Sequence, residues 1–373
     1  MLYWLFQLPF TSIDMRIFII AGEASGDLHG ANLVKELLHL SPQSVIEGWG
    51  GDKMSKAGAH IHKHYRELAF MGFAEVIANI RTIMRNFDLC KSTIETFKPD
   101  TLVLIDYPGF NLRMAEWAHK RGIRVVYYIS PQIWAWKQGR IKKIKKYVDE
   151  MCVVLPFEKD FYAQFKMDVH FVGHPLLDEI KQEKISVQKD NIIALLPGSR
   201  KQEIRSMLPI MLNAAKNFSG YKCVIAGAPG QEPSFYEPLI KGYHAEIVFG
   251  KTYDVLKSAK AGLITSGTAT LEAGIFKLPQ VVCYKGNPLS YFIARQLIKI
   301  KYISLVNLIL DKPAVKELIQ FDLTEENIVT ELRLLLNETE RSKQMIDDYN
   351  QLESVLGSGG ASLNTAKVVL KKS

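Results

Sequence analysis

The chain has 373 residues, 47% of them apolar and 23% charged, so it has the composition of a folded protein and enough length for more than one core. Lys and Arg number 47 against 39 Asp and Glu, a net charge of +8. That excess suits an anionic partner (nucleic acid, acidic lipid headgroups or a phosphorylated substrate) but is too mild to choose among them. Four scattered cysteines (Cys90, Cys152, Cys223, Cys283) have neither zinc-site nor disulfide-framework spacing.

Residues 1–14, MLYWLFQLPFTSID, are apolar. They lack the basic start and small-residue cleavage site of a signal peptide, and they are too short to span a bilayer. They read as an upstream extension or a misassigned start, with Met1 and Met15 both open as the first residue. Arg16 to Ala21, RIFIIA, is a continuous apolar strand of the kind buried on both faces of a parallel sheet. Gly22 to Asp27 turn it into a helix reaching about Leu40. Val45–Gly51, Thr101–Asp106, Arg124–Ile129 and Glu150–Leu155 are further strands, so this half reads as βαβ units in a doubly wound sheet. Such sheets bind ligands beyond the carboxyl ends of their strands.

Three features fall at those ends. One is the turn with Gly22, Ser25 and Gly26. The second is Asp106 before Tyr107-Pro108-Gly109, with Asn111 just beyond. A carboxylate there can be partly desolvated and serve as a general base, or it can simply cap the helix that begins near Leu112. The third is Ser130 to Arg140, SPQIWAWKQGR, with Gln132, Trp134 and Trp136 beside Lys137 and Arg140. Its aromatics can grip a sugar or lipid, or pack between domains. Leu68–Phe87 reads as an unusually apolar helix carrying Phe70, Met71, Phe73, Val76 and Ile77. It is either core or a docking face. Arg140–Val148 places Ile141, Ile144 and Val148 on one stripe and Lys142 and Lys143 away from it, which suits an anionic surface or a solvated face.

Lys181–Asp190 reads as a linker, and a second strand–helix series begins at Ile192. Its strands are Ile192–Pro197, Lys222–Ala226, Ala245–Phe249, Ala261–Thr265 and Gln280–Tyr284. Arg200 follows the first strand at a helix start, where a guanidinium can anchor a pyrophosphate. Ser266-Gly267-Thr268 offers hydroxyls and backbone N–H groups at the next helix start, an anion site with Glu272 one turn further in. The other reading of that turn is an N-cap. The chain contains no H-E-x-x-H, no D-x-D and no paired metal ligands.

In order along the chain stand AGEASGD (21–27), MGFAEV (71–76), IDYPGFN (105–111), SPQIWAWKQGR (130–140), VGHP (172–175), LPGSR (196–200), SGTATLE (266–272), VNLIL (306–310) and ELIQ (317–320). Together they resemble the lipid A disaccharide synthases, GT-B glycosyltransferases, over nearly everything from Met15 onward. The resemblance implies an α/β fold of two Rossmann-like, doubly wound parallel-sheet domains facing across a cleft. The expected divisions are the leader 1–14, an acceptor- and membrane-facing domain 15–180, a UDP-sugar domain 181–345, and C-terminal helices 346–373 packing back on the first domain. The reaction implied is inverting transfer from UDP-2,3-diacylglucosamine to 2,3-diacylglucosamine 1-phosphate. It gives the β-1,6 disaccharide 1-phosphate and UDP, at the inner face of the cytoplasmic membrane.

By the same resemblance Asp106 is the base. Arg200, Ser266, Thr268 and Thr270 face the diphosphate, and Glu272 the ribose. Asn307, Glu317 and Gln320 belong to the donor site. Gly22, Ser25, Gly26, Asn111, Gln132 and Trp134 lie on the acceptor side. Phe70, Met71, Phe73, Val76, Ile77, Lys142 and Lys143 dock the acyl chains and membrane. No cofactor or metal is implied. The partners are the two acylated sugars and an anionic phospholipid surface, with no nucleic acid and the oligomeric state open. The chain departs from the family in having Leu305-Val306 where Leu-Pro is frequent before the asparagine. Other GT-B enzymes of UDP-N-acetylglucosamine, such as the peptidoglycan transferase or a 2-epimerase, are the rival reading. A non-catalytic binder of anionic lipid is the other.

Overall fold

A computed structural model describes residues 15–68, 80–180, 189–287, 291, 300–337 and 339–371. They divide into two compact units. One runs to Glu179 and resumes at Ser358, and the other is Ile180–Gly357.

The first unit carries strands β1 (Arg16–Ala21), β2 (Val45–Gly50), β3 (His60–His64), β4 (Thr101–Ile105), β5 (Arg124–Tyr128), β6 (Glu150–Val153) and β7 (His170–Phe171). Its helices are α1 (Ala24–Leu40), α2 (Asp52–Lys56), α3 (Ile80–Phe97), α4 (Pro108–His119), α5 (Ile141–Tyr147), α6 (Pro156–Ala163) and α7 (Pro175–Ile180). The sheet order is β3-β2-β1-β4-β5-β6-β7, and the pairings are parallel. Phe18, Ile20, Leu102, Leu104, Val125 and Tyr127 are buried in its core, as continuous apolar strands require. β1 and β4 are neighbours, with Ala21 opposite Ile105, although α1, β2 and β3 intervene in sequence. The crossovers reverse direction there, so the chain opens a crevice between the turn after β1 and the turn after β4.

The second unit repeats the plan. Its strands are β8 (Ile192–Leu196), β9 (Lys222–Gly227), β10 (Ala245–Phe249), β11 (Ala261–Thr265), β12 (Gln280–Tyr284) and β13 (Lys316–Ile319), in the order β10-β9-β8-β11-β12-β13, again parallel. Its helices are α8 (Lys201–Ala215), α9 (Pro233–Ile240), α10 (Thr252–Ser258), α11 (Thr268–Ile275), α12 (Leu305–Leu310), α13 (Glu325–Leu336) and α14 (Glu340–Leu356). The equivalent crevice lies between β8 and β11, where Leu196 is opposite Ile264.

The last helix, α15 (Ala361–Leu370), belongs to the first unit and packs on α1. Arg124 donates to the carbonyls of Val369 at 2.7 Å and Val368 at 2.9 Å, so a cation satisfies the end of α15. Asp178 accepts from the amides of Gly360 and Ser362 just before that helix begins. α14 packs instead on α11, α12 and α13 of the second unit. The helices expected together over 346–373 therefore part company at Gly357.

Two strands escaped the sequence pattern. β3 reads HIHKH and is half exposed, and β13 is a short edge strand of KELI. Neither has an apolar run long enough to announce itself. Among the described residues no helix is long and apolar enough to cross a membrane.

Candidate functional sites of the two units

The candidate site of the first unit sits at the end of β4. Asp106 and Tyr107 both have left-handed backbone, φ 45° and 47°, and Ile129 at the end of β5 has φ 66°. Left-handed conformations are costly for residues with a Cβ, most of all a β-branched one, at about 1–3 kcal/mol each. Buried donors hold the turn in place. Tyr127 donates its hydroxyl to the Asp106 carbonyl at 2.6 Å, and Asn111 donates its amide to the carbonyls of Asp106 at 2.8 Å and Ile105 at 3.1 Å. Gly22 completes the corner, since a Cβ there would run into the Tyr107 ring.

The Asp106 side chain lines a recess of about 210 Å³ with Pro108, Ile129, Ser130, Gln132, Ile133, Trp136 and Arg140. Burial, and then the nearby Glu23 carboxylate, push the Asp106 carboxyl up to about 6. Such a group is ionised at neutral pH yet basic enough to take a proton from a hydroxyl in a transition state.

The expected acceptor-side residues divide. Gln132 is exposed and lines the recess. Ser25 is exposed in the first turn of α1, while Gly26 is buried against Ala21. Asn111 is buried, and its amide serves the backbone of the turn. Trp134 turns inward, its ring edge-on to Phe157 at 5.0 Å, and the exposed indole is Trp136. Asp27 within AGEASGD is also architectural: buried, it accepts from the amides of Gly51, Lys53 and Met54 and so caps α2. Among the docking residues, Lys142 and Lys143 are exposed on α5 above buried Ile141 and Ile144, and Lys143 pairs with Glu116 at 3.1 Å. Phe70, Met71, Phe73, Val76 and Ile77 lie outside the described residues.

The candidate site of the second unit is a cavity of about 700 Å³ at the carboxyl ends of β8, β9, β10 and β11. Its lining includes Arg200, Ser266, Thr268 and Glu272. The Arg200 side chain is 74% exposed and 4.0 Å from the Glu203 carboxylate. Glu203 itself accepts from the amides of Ser199 and Arg200, both at 3.2 Å. That carboxylate takes up two amides of the turn just ahead of α8 and brings a negative charge to that helix start, so an anion is better served at the Ser266–Thr268 turn. There Gly267 has φ 150°, and Thr268 and Ala269 head α11 with amides that have no acceptor within the helix.

Four expected donor residues lie outside this lining. Thr270 is buried, donates to the Gly267 carbonyl at 2.8 Å and accepts from the Leu305 amide at 3.3 Å. Glu317 accepts from the amides of Ile303 and Ser304 at 3.0 and 2.9 Å, from the Ser304 hydroxyl at 2.8 Å, and from Asn307 at 2.9 Å. Asn307 also closes on Val315 through both its amide and its carbonyl. Gln320, at φ 53°, donates to the Gly286 carbonyl at 3.3 Å. Glu317 and Thr270 hold the segment from Ile303 to Leu305 in place. That segment in turn receives the Ser266 hydroxyl on the Ile303 carbonyl at 2.9 Å. Their polarity was legible in sequence; that it is satisfied internally was not. Val306 occupies the second position of α12, where proline is also tolerated, so the departure from the family pattern leaves the helix start intact.

Sequence reasoning missed Tyr127, which looked like an ordinary strand residue, and Glu23, which looked like part of a turn. It also missed Gly250–Asp254, which lines the cavity after β10; a glycine directly after a strand was the available signal.

A family profile described as lipid-A-disaccharide synthetase matches residues 17–368. The lipid-A-disaccharide synthase of Syntrophus aciditrophicus (strain SB) is 38% identical over 370 residues, covering 95% of this chain and 97% of that protein. Among solved structures, the UDP-GlcNAc 2-epimerase of Neisseria meningitidis bound to UDP-GlcNAc superposes with a TM-score of 0.66 at 14% identity, covering 96% of this chain and all of that one. The calicheamicin glycosyltransferase CalG4 has a TM-score of 0.60 at 16% identity, covering 95% and 97%. At such identities the structures establish the GT-B fold alone. The sequence relatives go further: the chain belongs to the lipid-A-disaccharide synthetase family of glycosyltransferases.

Proposed function

We propose that the enzyme transfers the diacylglucosaminyl group of UDP-2,3-diacylglucosamine to the 6-hydroxyl of 2,3-diacylglucosamine 1-phosphate, with inversion at the anomeric carbon. The observation that carries this reading is Asp106, a raised carboxyl in a recess at the switch point of the first sheet. In a single displacement Asp106 takes the proton of the 6-hydroxyl as its oxygen bonds to C1 of the donor sugar. The C1–oxygen bond to the diphosphate breaks, and UDP leaves with the electron pair. The Ser266–Thr268 turn and Arg200 stabilise the charge that develops on the leaving diphosphate. Glu272, deeper along α11, meets the ribose hydroxyls.

The size of the second cavity supports a nucleotide diphosphate sugar there, as does the UDP-GlcNAc in the Neisseria structure of like fold. Lys142 and Lys143, exposed on α5, meet the anionic inner leaflet that supplies both acylated substrates. Asn307, Glu317, Gln320 and Thr270 support the donor turn rather than touch the donor.

The test is to incubate the purified protein with both acylated sugars in detergent and a chelator, reading disaccharide 1-phosphate, its anomeric configuration and UDP. A β-linked disaccharide with stoichiometric UDP is the expected result. If folded protein that binds UDP yields no disaccharide, and instead epimerises UDP-N-acetylglucosamine, the reading is wrong.

A further inference from the structure

The recess around Asp106 has a second chemical feature that the displacement does not use. Its rim carries Trp136, whose indole is 47% exposed, and Arg140. The Lys137 ammonium lies 4.1 Å from the centre of the Trp136 ring, and the Arg140 guanidinium 6.0 Å from it. Two cations thus converge on one exposed indole. Lys137 is held there by left-handed backbone, φ 54°, at the start of the turn Gln138–Arg140.

Neither cation has a carboxylate partner among the described residues, whereas several basic side chains nearby do. Lys120 and Lys143 share Glu116, and Arg124 meets Glu150. Two unneutralised cations fixed beside a polar recess match a dianion, and a phosphate monoester carries close to two negative charges at neutral pH. The recess has less than a third of the volume of the donor cavity, 210 against 700 Å³, so it suits a sugar ring rather than a nucleotide. Asp106 forms one part of its wall and Arg140 another. A hexose phosphate seated there turns one hydroxyl to the carboxylate and its phosphate to the cations.

The structure assigns Lys137 and Arg140, stacked on Trp136, as the subsite for the phosphate of a phosphorylated sugar acceptor. This rests on the proposed reaction and adds its orientation rule: the phosphate is gripped so that the hydroxyl remote from it meets Asp106. The subsite selects phosphorylated acceptors through KM and leaves the handling of the donor alone.

The full-length protein, the double variant Lys137→Ala/Arg140→Ala and the charge-matched control Lys35→Ala/Lys159→Ala would be compared in detergent micelles. The acceptors are 2,3-diacylglucosamine 1-phosphate and the same lipid without phosphate. Acceptor KM and donor KM are read by turnover, and acceptor affinity by equilibrium binding without donor. The double variant should raise KM and Kd for the phosphorylated acceptor at least tenfold. Its values for the dephosphorylated acceptor and its donor KM should change less than about twofold, and the control should match wild type. Arg140→Lys should recover part of the loss. Equal losses on both acceptors, or an equal effect in the control, would overturn the subsite, as would a phosphate preference kept in the double variant. If wild type makes no disaccharide the reaction itself fails, and the binding measurements still decide the subsite.

Discussion

At the end of β4 the backbone is strained, and at the end of β11 it is braced. Both places are the switch points of their sheets, reached by the same strand order, yet they are built by different means. Around Asp106 the chain holds two successive left-handed residues and raises a carboxyl by burying it beside Glu23. Around Ser266 strain falls on a glycine, and the fixing is done by hydrogen bonds running from Glu317 through the Ile303–Leu305 segment. The contrast follows from the tasks proposed for each. A base must be poised at an unfavourable proton affinity, so its site tolerates cost. A diphosphate grip must stay in one geometry as charge develops, so its site is preorganised.

Substitutions can break this comparison. The largest effect is expected at Asp106. Asp106→Asn should lower kcat by about a thousandfold or more, with UDP affinity unchanged by calorimetry. The same substitution should stabilise the fold. The Asp106 carboxyl binds its proton more tightly in the folded chain, about 6 against an ordinary 3.8. The group's contribution to stability therefore falls as pH rises through that window, and above it the ionised form is a net cost. Thermal melts at pH 8 should show Asp106→Asn more stable by about 1–2 kcal/mol, whereas a less stable variant would remove the strain from the account.

On the braced side, Glu317→Ala removes the acceptor of several partly buried hydrogen bonds. UDP affinity should fall by about tenfold or more, and stability by about 2–3 kcal/mol. A variant that melts early but binds UDP as before would show that the network supports the fold and not the grip. Tyr127→Phe deletes the bond to the Asp106 carbonyl and nothing else. It should lower kcat by roughly tenfold with acceptor KM unchanged. The smallest effect belongs to Glu23. The wild-type rate should fall toward acid with a midpoint near pH 6, and Glu23→Gln should move that limb a few tenths lower. An unmoved limb would leave burial as the sole cause.

Most of the fold was legible in sequence because the parallel strands are continuous apolar runs, as in RIFIIA and TLVLI. The glycines and hydroxyls at their ends then marked the turns. The exceptions are physical: β3 and β13 are edge strands with only partial burial, so they carry polar residues a pattern search discards. The site was legible in its chemistry and less so in its division of labour. Asp106, Arg200, Ser266, Thr268 and Glu272 all line recesses, as their strand-end positions imply. Asn307, Glu317 and Thr270 carry the same polar chemistry but turn it inward, which depends on partners 8 to 35 residues away. Likewise Trp134 and Trp136 are two residues apart and look equivalent in sequence, yet one meets Phe157 and the other meets solvent.

The most direct measurement is a single turnover of donor and phosphorylated acceptor with wild type and Asp106→Asn at pH 8, with UDP affinity determined on the same preparations. The account predicts disaccharide and UDP from the wild type, essentially none from the variant, and equal UDP affinity for both. Disaccharide formed by the variant at near wild-type rate would contradict the assignment of Asp106 as the base.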